Sequence, residues 1–318
     1  MPTHRIAPAL LLAALGAGAA PALAAPAVVA DIAPVHSIVA RVMEGVGSPD
    51  VLLPPGASPH GYALRPSDAA RLEAADVVVW VGPALTPWLA DPLDSLAGSA
   101  TRVTALDLPG LTLLRVRAGG PFDAHDHDHA EADHDHDHAE AGHDHAADID
   151  AHVWLDPLNA RAIAAGVAAA LGEVDPANAA AYAANAEAFA EEIDGLLTEV
   201  AAVTDSLEDR AFVVFHDGYQ YFETRFALPA AGSIALHDAD QPSPARMAEI
   251  QARIRDAGVT CVFAEPQFPE GLVATATEGS AARAGVLDPV GADLEAGPAF
   301  YPALIRGLAD DLAACLAP

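Results

Sequence analysis

The stretch from about Pro176 to Leu207 (PANAAAYAANAEAFAEEIDGLLTEVAAVTDSL) constrains this chain more than any other part of it. Its apolar positions recur at helical spacing, it has no proline after its first residue, and its one glycine, Gly195, weakens the helix without ending it. A continuous helix of ~30 residues is roughly 45 Å long, which is unusual inside one compact domain. Such a rod is expected to join two bodies. The length of 318 residues agrees, because single cores stop growing near ~250–300 residues.

Both sides of the rod read as alternating strands and helices. Upstream, Val28 to Ile32 is a strand, Pro34 opens a helix to about Glu44, and Val51 to Leu53 is a strand ended by Pro54-Pro55-Gly56. Ser67 is expected to cap a helix through Ala75, and Asp76 to Val81 (DVVVWV) reads as a strand buried on both faces. Val103 to Leu106 and Ala151 to Leu155 complete the strands of this half, and an Ala-rich helix follows Pro157. Downstream, strands are expected at Arg210 to Phe215, Val259 to Ala264 and Val286-Leu287. Helices are expected over Gly218 to Arg225, after the cap Ser243, over Gly271 to Ala284, and from Pro302 to Leu316. The fold class is therefore α/β: two lobes with mainly parallel sheets, residues 25–175 and 208–318, joined by one long rigid helix, 176–207.

The first 24 residues are expected to be a signal peptide. Met1 to Arg5 is a short basic start, Ile6 to Ala20 an apolar run, and Ala22-Leu23-Ala24 a small-x-small cleavage signal. Pro8 and Pro21 argue against a membrane anchor, and no cysteine lies near the cleavage point to carry a lipid. The mature chain is thus expected in the periplasm as a soluble monomer. In that oxidising compartment the even pair Cys261 and Cys315 reads as a disulfide. Closing so long a loop stabilises a fold by roughly 4 kcal/mol in the chain-entropy model.

Composition narrows the partners. Against 45 acidic residues stand 15 basic ones, all arginine, for a formal charge of -30. Nucleic acid and anionic membrane surfaces require basic patches and are excluded as partners, whereas cations are favoured. Histidine sharpens that preference. Eight of the 14 histidines, His125, His127, His129, His134, His136, His138, His143 and His145, alternate with aspartate inside residues 123–148. The segment has almost no large apolar side chain after Phe122, so it is expected to be a mobile surface loop that binds several metal ions weakly.

Other histidines fall where an open parallel sheet places its ligands, in loops beyond the strands. His60 lies after a strand in LLPPGASPHGY, His152 opens the strand AHVWLDP, and His216 follows the buried strand FVVF. Neutral imidazole suits zinc, copper and nickel, so three such side chains could share one ion. Three histidines leave a tetrahedral zinc one position short. Asp288 in VLDPVG, Glu265 in FAEPQF or a water molecule could fill it, and Glu265 could instead support a ligating histidine. His36, near a helix start, and His237, in a polar loop, are not expected to be primary ligands.

The segment LLPPGASPHGYALRPSDAARLEAADVVVWVGPALTPWL resembles the ZnuA-type periplasmic zinc-binding proteins of bacterial ABC importers. So do DAHVWLDP, FVVFHDGYQYFETRF and CVFAEPQF, in that order, with an acidic His-rich loop between the first two segments. The resemblance covers essentially the whole mature chain. It implies two α/β lobes around a linking helix with zinc between them, ligands at His60, His152 and His216, and a disulfide between Cys261 and Cys315. Manganese-binding relatives place a carboxylate where this chain has His216, so the third histidine argues for zinc. The implied function is capture of zinc and delivery to a membrane permease, with the His-rich loop as an accessory collector. Manganese or iron uptake and zinc buffering are the alternatives. A hydrolase is disfavoured, because the sequence carries no HExxH helix and no nucleophile elbow.

Overall fold

A computed structural model describes residues 24–117, 149–235, 242–269 and 271–317. The first half forms β1 (Val28–Ala30), α1 (Ala33–Val42), β2 (Asp50–Val51), α2 (Pro66–Glu73), β3 (Val77–Trp80), α3 (Ala90–Leu96) and β4 (Thr101–Thr104). Its four strands are all parallel, in the order β2-β1-β3-β4. The second half forms β5 (Phe212–His216), α6 (Gln220–Arg225), β6 (Ser233–Ala235), α7 (Pro244–Asp256), β7 (Cys261–Ala264), α8 (Gly271–Thr277), β8 (Arg283–Val286) and α9 (Phe300–Leu316). These strands are parallel too, in the order β6-β5-β7-β8, so one winding is used twice. β1, β3 and β5 are buried along their whole length, which is why they read as unbroken apolar runs.

Two helices connect the halves: α4 (Pro157–Val174), packed on α1 and β4 of the first, and α5 (Ala179–Thr204). The 26 residues of α5 make it the long helix expected from the sequence, extended by a 3-10 turn at Asp205–Leu207. It buries Tyr182, Phe189, Ile193, Leu196, Val200 and Thr204 on one stripe, against α1, α4 and α9. The linking helix is therefore packed against helices of both halves, and a continuous apolar core runs from β1 through α5 to α9. The turn between α4 and α5 is pinned by Asp175, whose Oδ2 accepts hydrogen bonds from Asn178 Nδ2 (2.6 Å) and Tyr182 Oη (2.9 Å). Burying side chains such as Phe189 or Ile193 contributes ~1.5–3 kcal/mol each, so Phe189→Ala is a change that would loosen this packing.

Several boundaries differ from the sequence reading. Residues 151–155 are not a strand: after the antiparallel bridge Arg115↔Ile149 the chain tightens into a 3-10 turn, Val153–Leu155. The cause is Asp150, whose Oδ1 accepts the His152 backbone N–H (3.0 Å) and bends the chain away from the sheet. Helix α2 starts at Pro66 rather than after Ser67, because proline suits a first helical position and the Asp68 carboxylate accepts the Arg65 N–H. Helix α8 stops at Thr277, short of Ala284, because residues 283–286 pair with β7. Strand β6 has no pattern of its own in the sequence; three residues are too few to show a period.

Polar ties cross from one half to the other. Arg117 forms ion pairs with Asp217 and with Glu223 (2.8 Å), and both carboxylates are almost fully buried. Arg225 grips Asp156 with two bonds of 2.7 Å. Tyr221 Oη donates to Asp150 O (2.8 Å) and accepts from Leu114 N (3.0 Å). Burial would depress the Arg117 pKa, but Glu223 and Asp217 raise it well above the usual range, so its charge is permanent. The pair Cys261–Cys315 is bonded and ties β7 to α9 with Cα atoms 6.1 Å apart. Among the described residues, no helix is long and apolar enough to cross a membrane.

Candidate metal centre

His60 sits in the loop between β2 and α2, and its neighbours hold that loop firmly. Trp88 Nε1 donates to Pro59 O (2.7 Å), and Tyr62 meets the Trp88 ring edge-on at 5.3 Å while donating to Asp68 Oδ2 (2.8 Å). His152 precedes the 3-10 turn, packed against the ring of Trp154, which is itself tied to the other lobe through Pro289 O (2.9 Å). His216 is the last residue of β5, between Tyr219 and Phe268. His152 and His216 are buried and His60 is half-buried.

These three side chains converge. His152 Nε2 lies 3.3 Å from His60 Nε2 and 3.2 Å from His216 Nε2. Around a tetrahedral zinc with bonds of ~2.0–2.1 Å, neighbouring ligand atoms stand ~3.3–3.4 Å apart, so the spacing fits one ion. Carboxylates behind the rings fix which nitrogen faces inward. Asp150 Oδ1 accepts from His152 Nδ1 (2.7 Å), and Glu265 Oε1 accepts from His216 Nδ1 (2.6 Å). With each Nδ1 turned to a carboxylate, a ring that carries one proton keeps it there and presents its Nε2 lone pair to the other rings. Two facing lone pairs at this distance repel unless a cation lies between them. The group His60, His152 and His216 could hold a metal ion, and it is the one such group among the described residues.

The two supporting carboxylates are buried. Burial pushes the Asp150 carboxyl up, but His152, by charge and by hydrogen bonds, outweighs it and holds the pKa below the usual value. Glu265 is buried as well, and its Oε1 also accepts the backbone N–H of His216 (3.3 Å). Its place follows from topology. β5 and β7 are parallel neighbours, so the residue ending β5 and the residue following β7 stand side by side at the carboxyl edge of the sheet.

Gly218 clears the space beside these rings. A Cβ at this position would lie 2.2 Å from His216 Nε2, so any side chain would drive into the imidazole. The enclosed space between the three rings is small, about 10 Å³, and Gln267, Phe268 and Val290 also line it. A larger cavity of about 280 Å³ adjoins it on the side of His60, Asp150, His152 and Asp217. A groove of about 840 Å³ lies between α4 and α5 and is lined mostly by alanine, with no histidine.

The structure brings together three of the residues named from sequence and adds Glu265 behind one of them. Asp288 does not join the group. Its oxygens accept from Gln267 Nε2 (3.0 Å), Val290 N (3.0 Å) and Ala292 N, which turns the chain after β8. His36 is buried in α1, where its Nε2 donates to Pro49 O (3.1 Å), and burial lowers its pKa. His237 and the eight histidines from His125 to His145 lie outside the described residues, as do residues 1–23 of the expected signal peptide. Asp150 and Gly218 escaped the sequence reading. An aspartate two residues before a histidine, in DAH, was the available signal for the first; nothing in the sequence marks the second.

A two-lobed parallel α/β fold with imidazoles meeting between its halves defines a binding protein for a small cation. The chain matches the family model described as "Zinc-uptake complex component A periplasmic" over residues 28–315 and belongs to this ZnuA family. It is 47% identical to the high-affinity zinc uptake system protein ZnuA of Brucella abortus, with 91% of each chain covered. It is 42% identical to the protein of the same name from Paracoccus denitrificans, covering 96% of this chain and 97% of that one. Among solved structures, the periplasmic zinc binding protein TroA from Treponema pallidum shares the fold, with a TM-score of 0.76, 22% identity, and 92% and 99% of the two chains covered.

Proposed function

We propose that this protein binds Zn(II) in the periplasm through His60, His152 and His216 and delivers it to the membrane permease of an ABC importer. The observation that carries the proposal is the meeting of three Nε2 atoms within 4.8 Å, two of them backed by carboxylates that hold the proton on the far nitrogen. Imidazole donors favour zinc over manganese, which prefers oxygen. The names of the Brucella and Paracoccus relatives support the same cargo. The ion is cargo and undergoes no chemistry. Residues 123–148 act as an accessory collector that raises the local concentration of zinc near the site.

A chelator competition on the full chain tests the reading. One tight zinc site is expected, insensitive to excess manganese and abolished by His60→Ala, above a set of weaker sites contributed by the His-rich segment. Equal competition by manganese would move the cargo to that ion. Loss of tight binding on deleting residues 123–148, with His60→Ala harmless, would assign the protein to zinc buffering.

A further inference from the structure

Three imidazoles leave one side of a tetrahedral ion open, and Gln267 lines the space between the rings. Gln267 follows Glu265 by two residues in the turn after β7, a turn closed by the Phe268 N–H on Glu265 O (3.1 Å). Phe268 stacks on Phe215 at 4.5 Å, which fixes the turn against the sheet. One short segment thus supplies Glu265 to the back of His216 and Gln267 to the wall of the space between the rings. The orientation of the Gln267 amide is set by its partner. Asp288 Oδ1 can only accept, so the amide nitrogen, 3.0 Å away, must face it, and Oε1 points the other way. Asp288 is immobile in turn, because it also accepts from the backbone of Val290 and Ala292.

Gln267 Oε1 is buried and has no hydrogen-bond partner among the described residues. An orphaned buried carbonyl is costly and calls for an explanation. From this we infer, on the basis of the zinc-capture reading, that the Gln267 carbonyl oxygen completes the shell of the bound ion, directly or through one water. Asp288 therefore acts as a positioning residue for Gln267.

The test loads the full chain with one equivalent of Co(II) as a spectroscopic substitute, and separately measures zinc affinity by chelator competition. In Gln267→Met and Gln267→Leu the tight zinc affinity is expected to fall about 10- to 100-fold, with a changed intensity and position of the Co(II) visible bands. Adding azide to the Co(II) form of the unaltered protein separates the two routes: a shifted spectrum identifies a displaceable water held by Gln267, and an unchanged one identifies direct contact. Should both variants fail to fold, the side-chain amide resonance of Gln267 in the unaltered protein must still move on adding zinc. Folded variants with unaltered affinity and unaltered Co(II) bands, or an amide resonance blind to zinc, would overturn the inference. If His60→Ala kept the tight site, the zinc-capture reading itself would fall.

Discussion

The two lobes wind their strands in the same order, yet they use the carboxyl edge of the sheet differently. In the second lobe, the ends of β5 and β7 carry His216 and Glu265, a ring and the carboxylate that orients it. In the first lobe the corresponding place, beyond β1 and β3, is filled by Asp31, whose oxygens accept the backbone N–H groups of Ile32 and Val81 at 2.8 Å. There the carboxylate closes the sheet edge, and the first lobe's two histidines come from loops further out. The same topology thus yields a rigid ligand platform in one lobe and a sealed edge in the other. One lobe places an imidazole by strand geometry; the other must place two by loop packing.

The largest expected effect comes from separating the lobes. Arg117→Met would strand the buried carboxylates of Asp217 and Glu223, at a cost of ~3–5 kcal/mol. Thermal unfolding should fall by about 10 °C for a chain of this size; an unchanged melting temperature would show that the tie carries no weight. Next comes the platform itself. Gly218→Leu should displace the His216 ring and reduce zinc affinity ~100-fold or more while the fold persists, measured by competition titration beside circular dichroism. Wild-type affinity in this variant would mean that His216 has other room to bind.

Supporting carboxylates come third. Glu265→Ala and Asp150→Ala should each weaken zinc binding about 10- to 100-fold, because the ring they release loses its fixed tautomer. A comparison of the two variants sharpens the contrast between strand and loop placement. Each carboxylate also accepts the backbone N–H of its histidine, but His216 is held in the β5–β6 pairing as well, so the Asp150 variant, with His152 in a loop, is expected to suffer more.

The smallest effect concerns the sealed edge. Burial raises the Asp31 pKa from 3.8 to about 7, against the lowering effect of the Val81 and Ile32 N–H groups. A carboxyl whose pKa is raised in the folded state holds its proton where the unfolded chain has lost it. Its contribution is complete below the unfolded pKa of 3.8 and is lost as pH rises to about 7. Asp31→Asn should therefore cost about 1 kcal/mol near the acid end, since one N–H loses its acceptor, and the gap to the natural protein should narrow toward neutral pH. Urea melts across that range would reveal it. A gap that widens with pH would mean that the ionised carboxylate is the stabilising form.

The parallel sheets and long helix were legible because each rests on a pattern longer than its noise: DVVVWV, FVVF and a helix with no proline in its interior. His60 and His216 were legible from their place after strand-like segments and His152 from the start of a segment that reads as a strand, together with the family resemblance. Asp288 was read from the same strand-end logic, and that logic does not say which way a side chain turns. Its oxygens meet two backbone donors within four residues and the side-chain amide of Gln267, which follows the neighbouring strand β7, demands that a one-dimensional reading cannot weigh against a distant ion. The 3-10 turn after His152 was hidden for a related reason. Ala151 to Leu155 is apolar enough for a strand, and only the Asp150 hydrogen bond decides otherwise. Gly218 was hidden because its role lies in the volume it leaves to His216, not in its backbone angles.

The central claim is that one zinc ion joins the loop-held pair and the strand-held histidine in a single shell. Zinc K-edge X-ray absorption on the full chain loaded with one equivalent tests it most directly. Three imidazole nitrogens at ~2.0–2.1 Å and one oxygen are expected, with one imidazole lost in His216→Ala. A shell dominated by oxygen, or one that keeps its imidazoles when His60, His152 and His216 are all replaced by alanine, would contradict it.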